Sequence, residues 1–303
     1  MATMPRDLPV ILQLCPFSDF LQDGLAARGE VIRWWTLDAA AQQAFLAARA
    51  GAVHAVATGG HIGCPPALLQ ALPRLAVIAI NGVGVDKVDL ALARQRGVGV
   101  GVTTGALTED VADLAVGLVI GLLRDLPAAD AWVRSGRWLE GDKPLARKVS
   151  GRRFGIVGLG QIGAATACRL APFGSVAWTG PRAKDSPWRY QPDLLQLARE
   201  VDVLVLTCPA TAATRHLVGT TVLQALGPQG YLVNVARGAV VDEAALVAAL
   251  EAGAIAGAAL DVYEDEPRVP EALRSSARVV LTPHMASATV ETRRRMAEMV
   301  LAN

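Results

Sequence analysis

The amino-acid sequence predicts an α/β fold made of two doubly wound domains. Short apolar runs alternate with helical segments along nearly the whole chain, which is typical of parallel sheets with helices on both faces. A chain of 303 residues, 52% of them hydrophobic, is long enough for two domains that each bury a core. A glycine-rich junction at Gly158–Gly163 follows one apolar run and opens an alanine-rich stretch near the middle of the chain.

The first third of the chain is similar to a small flavodoxin-like unit. Its predicted strands are Val10–Leu14, Val31–Trp35, Val53–Ala57, Leu75–Ile80 and Val98–Val102. The segments between them predict helices at Phe20–Arg28, Ala39–Ala50, Pro66–Leu72 and Val88–Arg96. We expect residues 1–99 and 285–303 to form this domain, with the final helix starting at Val290 and returning to it.

The second domain is expected to cover residues 100–284. A long apolar helix, Thr108–Leu123, leads into it, because a hydroxyl and two carboxylates suit its first turn. Residues 125–148 are charged and irregular, so we interpret them as an excursion at a surface or subunit contact. Strands are then predicted at Phe154–Val157, Val176–Trp178, Val201–Leu206, Tyr231–Val235, Ile255–Asp261 and Val279–Leu281.

Charge and cysteine usage exclude several functional classes. The 29 Lys and Arg residues nearly balance the 28 Asp and Glu residues, so no net field favours nucleic acid or an anionic membrane. The cysteines Cys15, Cys64, Cys168 and Cys208 form no CxxC pair, and we expect buried free thiols and no metal site. No apolar leader or twenty-residue apolar stretch is present, which predicts a cytoplasmic protein.

The glycine motif predicts a bound dinucleotide. In a strand-to-helix turn, Gly158 permits the tight bend, Gly160 lets the backbone approach a pyrophosphate, and Gly163 lets helix and strand pack closely. The N–H groups at the start of the helix, from Gln161 and Ile162 onward, are suited to an anion. A GxGxxG motif alone is weak, so the rest of the chain must support it.

Polar side chains follow the carboxyl ends of the last predicted strands, where open α/β sheets bind ligands. Arg237 follows the run that ends at Val235, Asp261 ends the next run, and Glu266 lies just beyond. His284 follows the last strand of the domain. An arginine, a carboxylate and an imidazole are therefore expected at one crevice.

These segments, in this order, resemble the D-isomer-specific 2-hydroxyacid dehydrogenase family. The motifs that carry the resemblance are Gly158–Gly163, Val233–Gly238, Leu260–Pro267 and Thr282–His284, with Gly82–Asp86 and Thr207–Pro209 in support. The resemblance covers nearly the whole chain. It implies a Rossmann dinucleotide-binding domain, a substrate domain and an active-site cleft between the two.

The resemblance and the chemistry of the side chains assign the same roles. Imidazole titrates near neutral pH, so His284 is the expected proton donor and acceptor. An ionised Glu266 beside it would favour imidazolium and orient the ring. Arg237 offers planar, permanently charged donors for a substrate carboxylate and carbonyl. Backbone N–H groups of Gly82, Val83 and Gly84 are expected to bind the substrate carboxylate, or the segment is a plain turn.

The resemblance also implies a set of cofactor contacts. Asp261 is expected to accept a hydrogen bond from the nicotinamide carboxamide, and the alternative is that it caps the turn that follows it. Ser287 either binds near the substrate or, as we favour, caps the last helix. The full set expected to line the cofactor is Thr108, Gly158, Gly160, Gln161, Ile162, Gly163, Gly180, Arg182, Cys208, Pro209, Thr214, Val235, Ala236, Arg237, Asp261 and His284.

The residues after the second strand of the nucleotide fold predict NADPH (NADP) as the reductant, with NADH (NAD) as the alternative. An acidic residue there would hold the ribose 2′-OH of NAD, but Gly180 lies near that position. Arg182 and Lys184 follow, and an arginine can pair with a 2′-phosphate. Asp185 is the residue that would favour NAD if it reached the ribose instead. At this point the resemblance narrows to NADPH-dependent glyoxylate/hydroxypyruvate reductases.

The predicted reaction is reduction of a small 2-oxo acid, with glyoxylate or hydroxypyruvate favoured. Thr58–Gly60 is a small, polar segment that suits a small substrate, and His61 is interpreted as a surface residue. Trp138 either reaches a partner's crevice or is buried in a contact of the expected homodimer. The alternatives are an NAD-dependent dehydrogenase of another substrate range and a dinucleotide-sensing protein, although a sensor has no reason to keep the three polar groups.

Overall fold

The computed structural model describes residues 8–303 and divides into two compact units. Unit 1 contains the chain up to Leu107 together with Ala288–Asn303, and unit 2 is Thr108–Ser287. The predicted divisions, after residues 99 and 284, lie earlier in the chain. Thr103 N–H donates to Gly82 O at 2.9 Å, which keeps the segment after residue 99 in unit 1. Met285 N–H donates to Asp261, which keeps the residue after His284 in unit 2.

Unit 1 is a five-stranded parallel sheet covered by helices. The strand order is β2-β1-β3-β4-β5, with every neighbouring pair parallel. With numbering in chain order, its elements are β1 Val10–Gln13, α1 Asp19–Ala26, β2 Glu30–Arg33, α2 Ala39–Arg49, β3 Val53–Gly59, α3 Pro66–Ala71, β4 Val77–Asn81, α4 Leu90–Gln95, β5 Gly99–Gly101 and α12 Val290–Ala302. The final helix thus belongs to unit 1.

One prediction in unit 1 was wrong at a strand end. The apolar run Val31–Trp35 predicted a strand through both tryptophans, but β2 ends at Arg33 and Trp34–Thr36 forms a 3₁₀ turn. The Trp34 ring packs edge-on against Phe45, with ring centroids 6.0 Å apart. Because β2 is the edge of the sheet, this tertiary contact decides the local conformation and the strand propensity of tryptophan does not.

Unit 2 is a seven-stranded parallel sheet of order β12-β11-β10-β9-β6-β7-β8. Its elements are α5 Thr108–Leu123, α6 Leu126–Arg134, β6 Phe154–Val157, α7 Gln161–Leu170, β7 Val176–Thr179, β8 Arg189–Tyr190, α8 Leu194–Glu200, β9 Val203–Leu206, α9 Thr220–Leu226, β10 Tyr231–Asn234, α10 Glu243–Glu251, β11 Gly257–Leu260, α11 Glu271–Arg274 and β12 Val279–Leu281. Strands β6, β9, β10 and β11 are buried at every position, because helices cover both faces of the sheet.

Three features of unit 2 differ from the prediction. Residues 125–148 are more regular than expected, since they contain α6 and a 3₁₀ turn at Arg137–Leu139. Strand β8 was missed because it is only two residues long. Buried thiols were expected throughout, but Cys168 is exposed on α7 and only Cys15, Cys64 and Cys208 are buried. Burial raises the pKa of each of these three thiols to about 11.

The packed core of unit 2 predicts the stability effect of one substitution. Leu232 lies at the centre of β10, is fully buried, and belongs to the main hydrophobic cluster. Leu232→Ala should lower stability by about 2–5 kcal/mol, because the remaining cavity adds to the lost transfer energy. Differential scanning calorimetry should show a lower Tm for this variant. The half-exposed Leu90 is the control, and an equal loss for Leu90→Ala would contradict the prediction.

Candidate active site

The glycine turn has the geometry that an anion requires. Gly158 has a φ of 96°, a region that side chains rarely adopt, so the bend after β6 depends on glycine. A Cβ on Gly163 would lie 2.0 Å from Gly158 O, which shows how closely α7 packs on the strand. A Cβ on Gly160 would meet nothing within 4 Å, and no side chain caps α7. The turn and the first N–H groups of α7 therefore fit a dinucleotide pyrophosphate.

Helix α5 begins beside this turn. The Thr108 hydroxyl lies 3.5 Å from Gln161 Oε1, at the first residues of α5 and α7. Both residues were expected to line the cofactor, and the packing of α5 against α7 brings them together. Arg169 fixes this packing further along α7 through ion pairs with Glu109 and Asp113 of α5.

Side-chain hydrogen bonds from β7, from β8 and from the loop itself stabilise the loop after β7. Tyr190 OH donates to Gly180 O at 2.9 Å, and the Trp178 indole N–H lies 3.0 Å from Ser186 Oγ. Lys184 Nζ donates to Leu159 O at 2.8 Å, inside the glycine turn. The loop therefore brings an ammonium group to the glycine turn. Arg182 is exposed and has no ion-pair partner in the described part of the chain.

The segment after β9 forms a compact wall. Cys208 is buried, and its Cα would lie 2.8 Å from a Cβ on Gly158, so its backbone lies directly behind the glycine turn. The Thr214 hydroxyl donates to Pro209 O at 2.7 Å and accepts from Thr211 N–H at 2.8 Å. Since both functions of this hydroxyl are used inside the loop, Thr214 shapes the segment.

Asn234 fixes the backbone that carries Arg237, and sequence reasoning missed it. At the end of β10, Asn234 Oδ1 accepts from Ala236 N–H and its Nδ2 donates to Arg237 O, both at 3.0 Å. Asn234 is almost fully buried, and Val235 and Ala236 are also buried, whereas Arg237 is half-buried. A buried amide that ends an apolar strand directly before an arginine was the available signal.

Glu266 and His284 form a hydrogen-bonded pair. Glu266 Oε2 lies 2.7 Å from His284 Nδ1, and Glu266 Oε1 accepts from Tyr263 N–H at 3.0 Å. The carboxylate is thus oriented by the backbone on one side and holds the imidazole on the other. The side chains are only 26% and 35% exposed, which strengthens a charge-assisted contact.

The loop of His284 is held by the carboxylate of Asp261. Asp261 has no exposed surface, and its Oδ1 accepts from the Thr282 hydroxyl at 2.6 Å and from Met285 N–H at 2.8 Å. Its Oδ2 accepts from Ala286 N–H at 3.0 Å, and its carbonyl oxygen accepts from His284 N–H at 2.8 Å. These bonds cap the turn that follows Asp261, which is the alternative role considered for it. The favoured contact with the nicotinamide carboxamide stays a prediction.

The loop around Glu266 is anchored independently. Tyr263 is buried, and its hydroxyl lies 2.9 Å from Thr282 O, on the loop that carries His284. Burial raises the Tyr263 pKa to about 12, so the phenol remains a donor near neutral pH. Glu264 pairs with His216 through its side chain and donates its N–H to Glu243 Oε1 at 2.8 Å.

The three loops converge because β10, β11 and β12 are neighbours. Arg237 follows β10, Glu266 follows β11 and His284 follows β12, all at the carboxyl edge of the sheet. A Cβ on Gly238 would lie 1.9 Å from Tyr263 O, so the loops after β10 and β11 are in direct backbone contact. The expected arginine, carboxylate and imidazole therefore share one edge of unit 2.

The remaining predicted site residues belong to both units. Gly82–Gly84 follows β4, and Gly82 packs against the backbone of Gly60. Ser287 was expected to cap the last helix, but Thr289 is the N-cap of α12 and accepts from Thr292 N–H. The cap lies two residues later because the segment before it is held by Asp261. His61 is exposed, as is Trp138 with 65% of its surface.

This combination defines a class of protein. A parallel sheet with a glycine turn fits a dinucleotide, and the same edge carries an imidazole that can transfer a proton and an arginine that can bind an anion. The chain is an NAD(P)-dependent oxidoreductase. Within residues 8–303, no helix is long and apolar enough to cross a membrane, and no cluster of side chains suits a metal ion.

The comparisons with known proteins name the family. Residues 116–286 match the model for the NAD-binding domain of D-isomer specific 2-hydroxyacid dehydrogenases. The chain therefore belongs to the D-isomer-specific 2-hydroxyacid dehydrogenase family, as the sequence motifs predicted.

Relatives are similar over nearly the full chain. Hydroxyphenylpyruvate reductase of Plectranthus scutellarioides is 43% identical over 97% of this chain and 94% of its own length. Glyoxylate/hydroxypyruvate reductase A of Arabidopsis thaliana is 42% identical, with the same coverage. The crystal structure of the NADPH-dependent glyoxylate/hydroxypyruvate reductase of Sinorhizobium meliloti, in complex with NADP and malonate, has a TM-score of 0.89 and 42% identity, covering 98% of this chain and 92% of that one.

The Glu266–His284 pair predicts the effect of removing the imidazole. His284→Ala should lower kcat by about 10²–10⁴-fold, because general acid catalysis contributes a factor of that size. Dinucleotide affinity should change little, since the glycine turn is untouched. Stopped-flow turnover and fluorescence titration with the dinucleotide measure the two quantities. Near-normal kcat would refute the role of His284, and His216→Ala is the matched histidine control.

Proposed function

We propose that the protein reduces a small 2-oxo acid, with glyoxylate or hydroxypyruvate favoured, to the D-2-hydroxy acid using NADPH. A bound reduced nicotinamide supplies the hydride to C2 of the substrate. The residues of the chain supply the proton, bind the substrate carboxylate, and position the substrate and the nicotinamide. The observation that carries the proposal is the 2.7 Å contact of Glu266 with His284, on the same sheet edge as Arg237.

His284 delivers the proton to the carbonyl oxygen. Its Nδ1 is engaged by Glu266, so Nε2 is the nitrogen available to the substrate. The carboxylate of Glu266 prevents rotation of the imidazole ring, because Tyr263 N–H holds its other oxygen. In the reverse reaction the neutral imidazole accepts the proton.

Arg237 binds the carboxylate and polarises the carbonyl. A guanidinium presents several donors in one plane, so it can contact a carboxylate oxygen and the carbonyl oxygen together. Developing negative charge on the carbonyl oxygen is stabilised by the same cation. Backbone N–H groups of Gly82, Val83 and Gly84 are assigned to the substrate carboxylate, and Ser287 to a contact near the substrate.

The loop after β7 supports NADPH over NADH. Gly180 provides no carboxylate at the position that would bind a ribose 2′-OH, and Arg182 has no ion-pair partner among residues 8–303. Lys184 adds a cation at the glycine turn through its bond to Leu159 O. The Sinorhizobium meliloti relative is NADPH-dependent, which agrees with this choice.

Substrate range is the point on which the relatives differ. One is named for hydroxyphenylpyruvate and another for glyoxylate and hydroxypyruvate. The segment Thr58–Gly60 favours the smaller acids, because it offers little apolar surface to an aromatic ring. An NAD-dependent dehydrogenase of another substrate range is the second candidate.

Turnover of a substrate panel tests the proposal. Oxidation of NADPH and of NADH is followed with glyoxylate, hydroxypyruvate, pyruvate and hydroxyphenylpyruvate. We expect the highest kcat/KM with NADPH and one of the first two acids. The highest value with hydroxyphenylpyruvate would support the aromatic substrate, and no turnover with any of the four acids would contradict the proposal.

The cofactor assignment predicts a selective effect of one charge. Arg182→Ala should raise the KM for NADPH by about 10-fold or more and leave that for NADH nearly unchanged, since a charge-assisted pair is worth about 1.5–3 kcal/mol. Asp185→Ala is the matched control. A higher KM for NADH in that variant would indicate that Asp185 binds the ribose, and equal losses for both cofactors in Arg182→Ala would make Arg182 structural.

We also propose that the protein forms a homodimer through residues 125–148. Leu139 and Leu145 are 95% and 100% exposed in the single chain, and Leu126, Val133 and Trp138 are exposed with them. Such a concentration of apolar surface is typical of an interface. A cavity of about 520 Å³ between this segment and the amino ends of β10–β12 provides a further concave surface. Trp138 would then contact the partner.

Charge placed on this surface should separate the protomers. Leu139→Asp combined with Leu145→Asp removes two side chains whose burial is worth about 1.5–3 kcal/mol each and adds two charges to desolvate. Light scattering after size exclusion should show a monomer of 31.7 kDa for the variant and twice that mass for the parent. Leu90→Asp is the control, and a monomeric parent would contradict the proposal.

A further inference from the structure

The carboxyl edge of unit 1 concentrates buried polar atoms that lack partners. In the described part of the chain, four buried side-chain polar atoms have no hydrogen-bond partner, and three of them lie at this edge. They are Gln13 Oε1 at the end of β1, Asn81 Oδ1 at the end of β4, and Thr103 Oγ1 just after β5. Buried polar atoms are normally paired, because desolvation without a partner costs free energy. Because ligands of parallel sheets bind at the carboxyl ends of the strands, unpaired polar atoms at this edge are suited to ligand recognition.

Helix α12 starts at the same edge. The Thr292 hydroxyl donates to Ala106 O, beyond the carboxyl end of β5. At the other end of the helix, Leu301 lies against Gly24, in the last part of α1, which leads to the amino end of β2. The helix therefore runs antiparallel to the strands. Its first turn lies near the loop Gly82–Gly84, because Ala106 N–H bonds to Thr103 O and Thr103 N–H bonds to Gly82 O.

Arg293, in this first turn, is a half-buried cation without a carboxylate. It shares a helix face with Ala297 and Val300, which pack in one cluster with Ala79 of β4. Two residues further along the same face of β4 is Asn81. Burial lowers the pKa of Arg293, and no side-chain hydrogen bond or ion pair is formed by it in residues 8–303. Its neighbours Arg294 and Arg295 both pair with Glu298.

We propose that Asn81 and Arg293 form a subsite that binds the C3 hydroxyl of a hydroxylated 2-oxo acid. The inference rests on the proposed function and names the residues that would distinguish hydroxypyruvate from glyoxylate. A hydroxyl donates one hydrogen bond and accepts two, so it can donate to Asn81 Oδ1 and accept from the Arg293 guanidinium. Both unsatisfied groups are then paired by one ligand atom.

The chemistry of the two residues favours a hydroxyl at this position. A carboxylate would pair with Arg293 but leave Asn81 Oδ1 facing another acceptor, and a methyl group would leave both residues unpaired. Asn81 directly precedes Gly82, so a substrate whose carboxylate binds the Gly82–Gly84 backbone has its next carbon atoms within a few ångströms of Asn81. Specificity of this kind is strong because the wrong substrate leaves buried polar groups unsatisfied.

The test compares two substrates in the same variants. N81L and R293M are assayed with NADPH against hydroxypyruvate, which has the C3 hydroxyl, and glyoxylate, which has no C3. We expect each variant to lose about tenfold to hundredfold in kcat/KM for hydroxypyruvate and less than about threefold for glyoxylate. R294M is the matched control, since it removes an exposed arginine from the next position of the same helix and should leave both values unchanged.

The outcomes separate this inference from the proposed function. Equal losses for the two acids, or no change in their ratio in either variant, would overturn the subsite while leaving the reductase intact. No turnover of either acid by the parent protein would instead overturn the proposed function. Retained glyoxylate turnover shows that a variant is folded, and if N81L does not fold, the same comparison in R293M decides.

Discussion

The buried carboxylate of Asp261 is the interaction on which the arrangement of the active site depends. His284 has a φ of 50°, in the left-handed region, which costs a residue other than glycine about 1–3 kcal/mol. Three hydrogen bonds to the Asp261 carboxylate and one to its carbonyl oxygen hold the surrounding loop. Hydrogen bonds to a charged acceptor are worth about 1.5–3 kcal/mol each, which is enough to offset that strain. The imidazole therefore has one position before any substrate binds.

Parallel topology explains why three distant segments meet. Since β10, β11 and β12 are adjacent and parallel, each sends its following loop to the same edge. Buried polar groups then fix the positions of these loops. Each of them forms hydrogen bonds within its own loop or to the neighbouring loop, and they belong to Asn234, Asp261 and Tyr263. A sheet alone brings such groups to within several ångströms, whereas proton transfer requires a hydrogen-bond distance.

Much of the fold could be predicted from the sequence, for reasons visible in single elements. Helix α5 and strands β6 and β12 have the predicted bounds, because capping residues and apolar runs mark their ends locally. The bounds at Trp34 and the two-residue β8 could not be predicted, since tertiary contacts determine them. For the site, residue types identified Arg237, Glu266 and His284. The supporting bonds of Asn234 and the cap at Thr289 depend on loop geometry that no local pattern encodes.

The two units satisfy their polar groups in opposite ways. In unit 2, the carboxylates of Asp261 and Glu266 and the amide of Asn234 already have partners in the folded chain. Groups that stabilise a transition state need fixed partners of this kind, because reorganisation of the site during the reaction would raise the activation barrier. In unit 1, Asn81 and Thr103 keep buried oxygens without partners. Groups that select a substrate need to be unpaired in the folded chain instead. Only a ligand that supplies the hydrogen-bond partner then recovers the free energy lost by desolvation. Catalysis thus requires buried polar atoms that are already paired, whereas substrate selection requires buried polar atoms that a ligand pairs. The first kind lies at the sheet edge of unit 2 and the second kind at the sheet edge of unit 1.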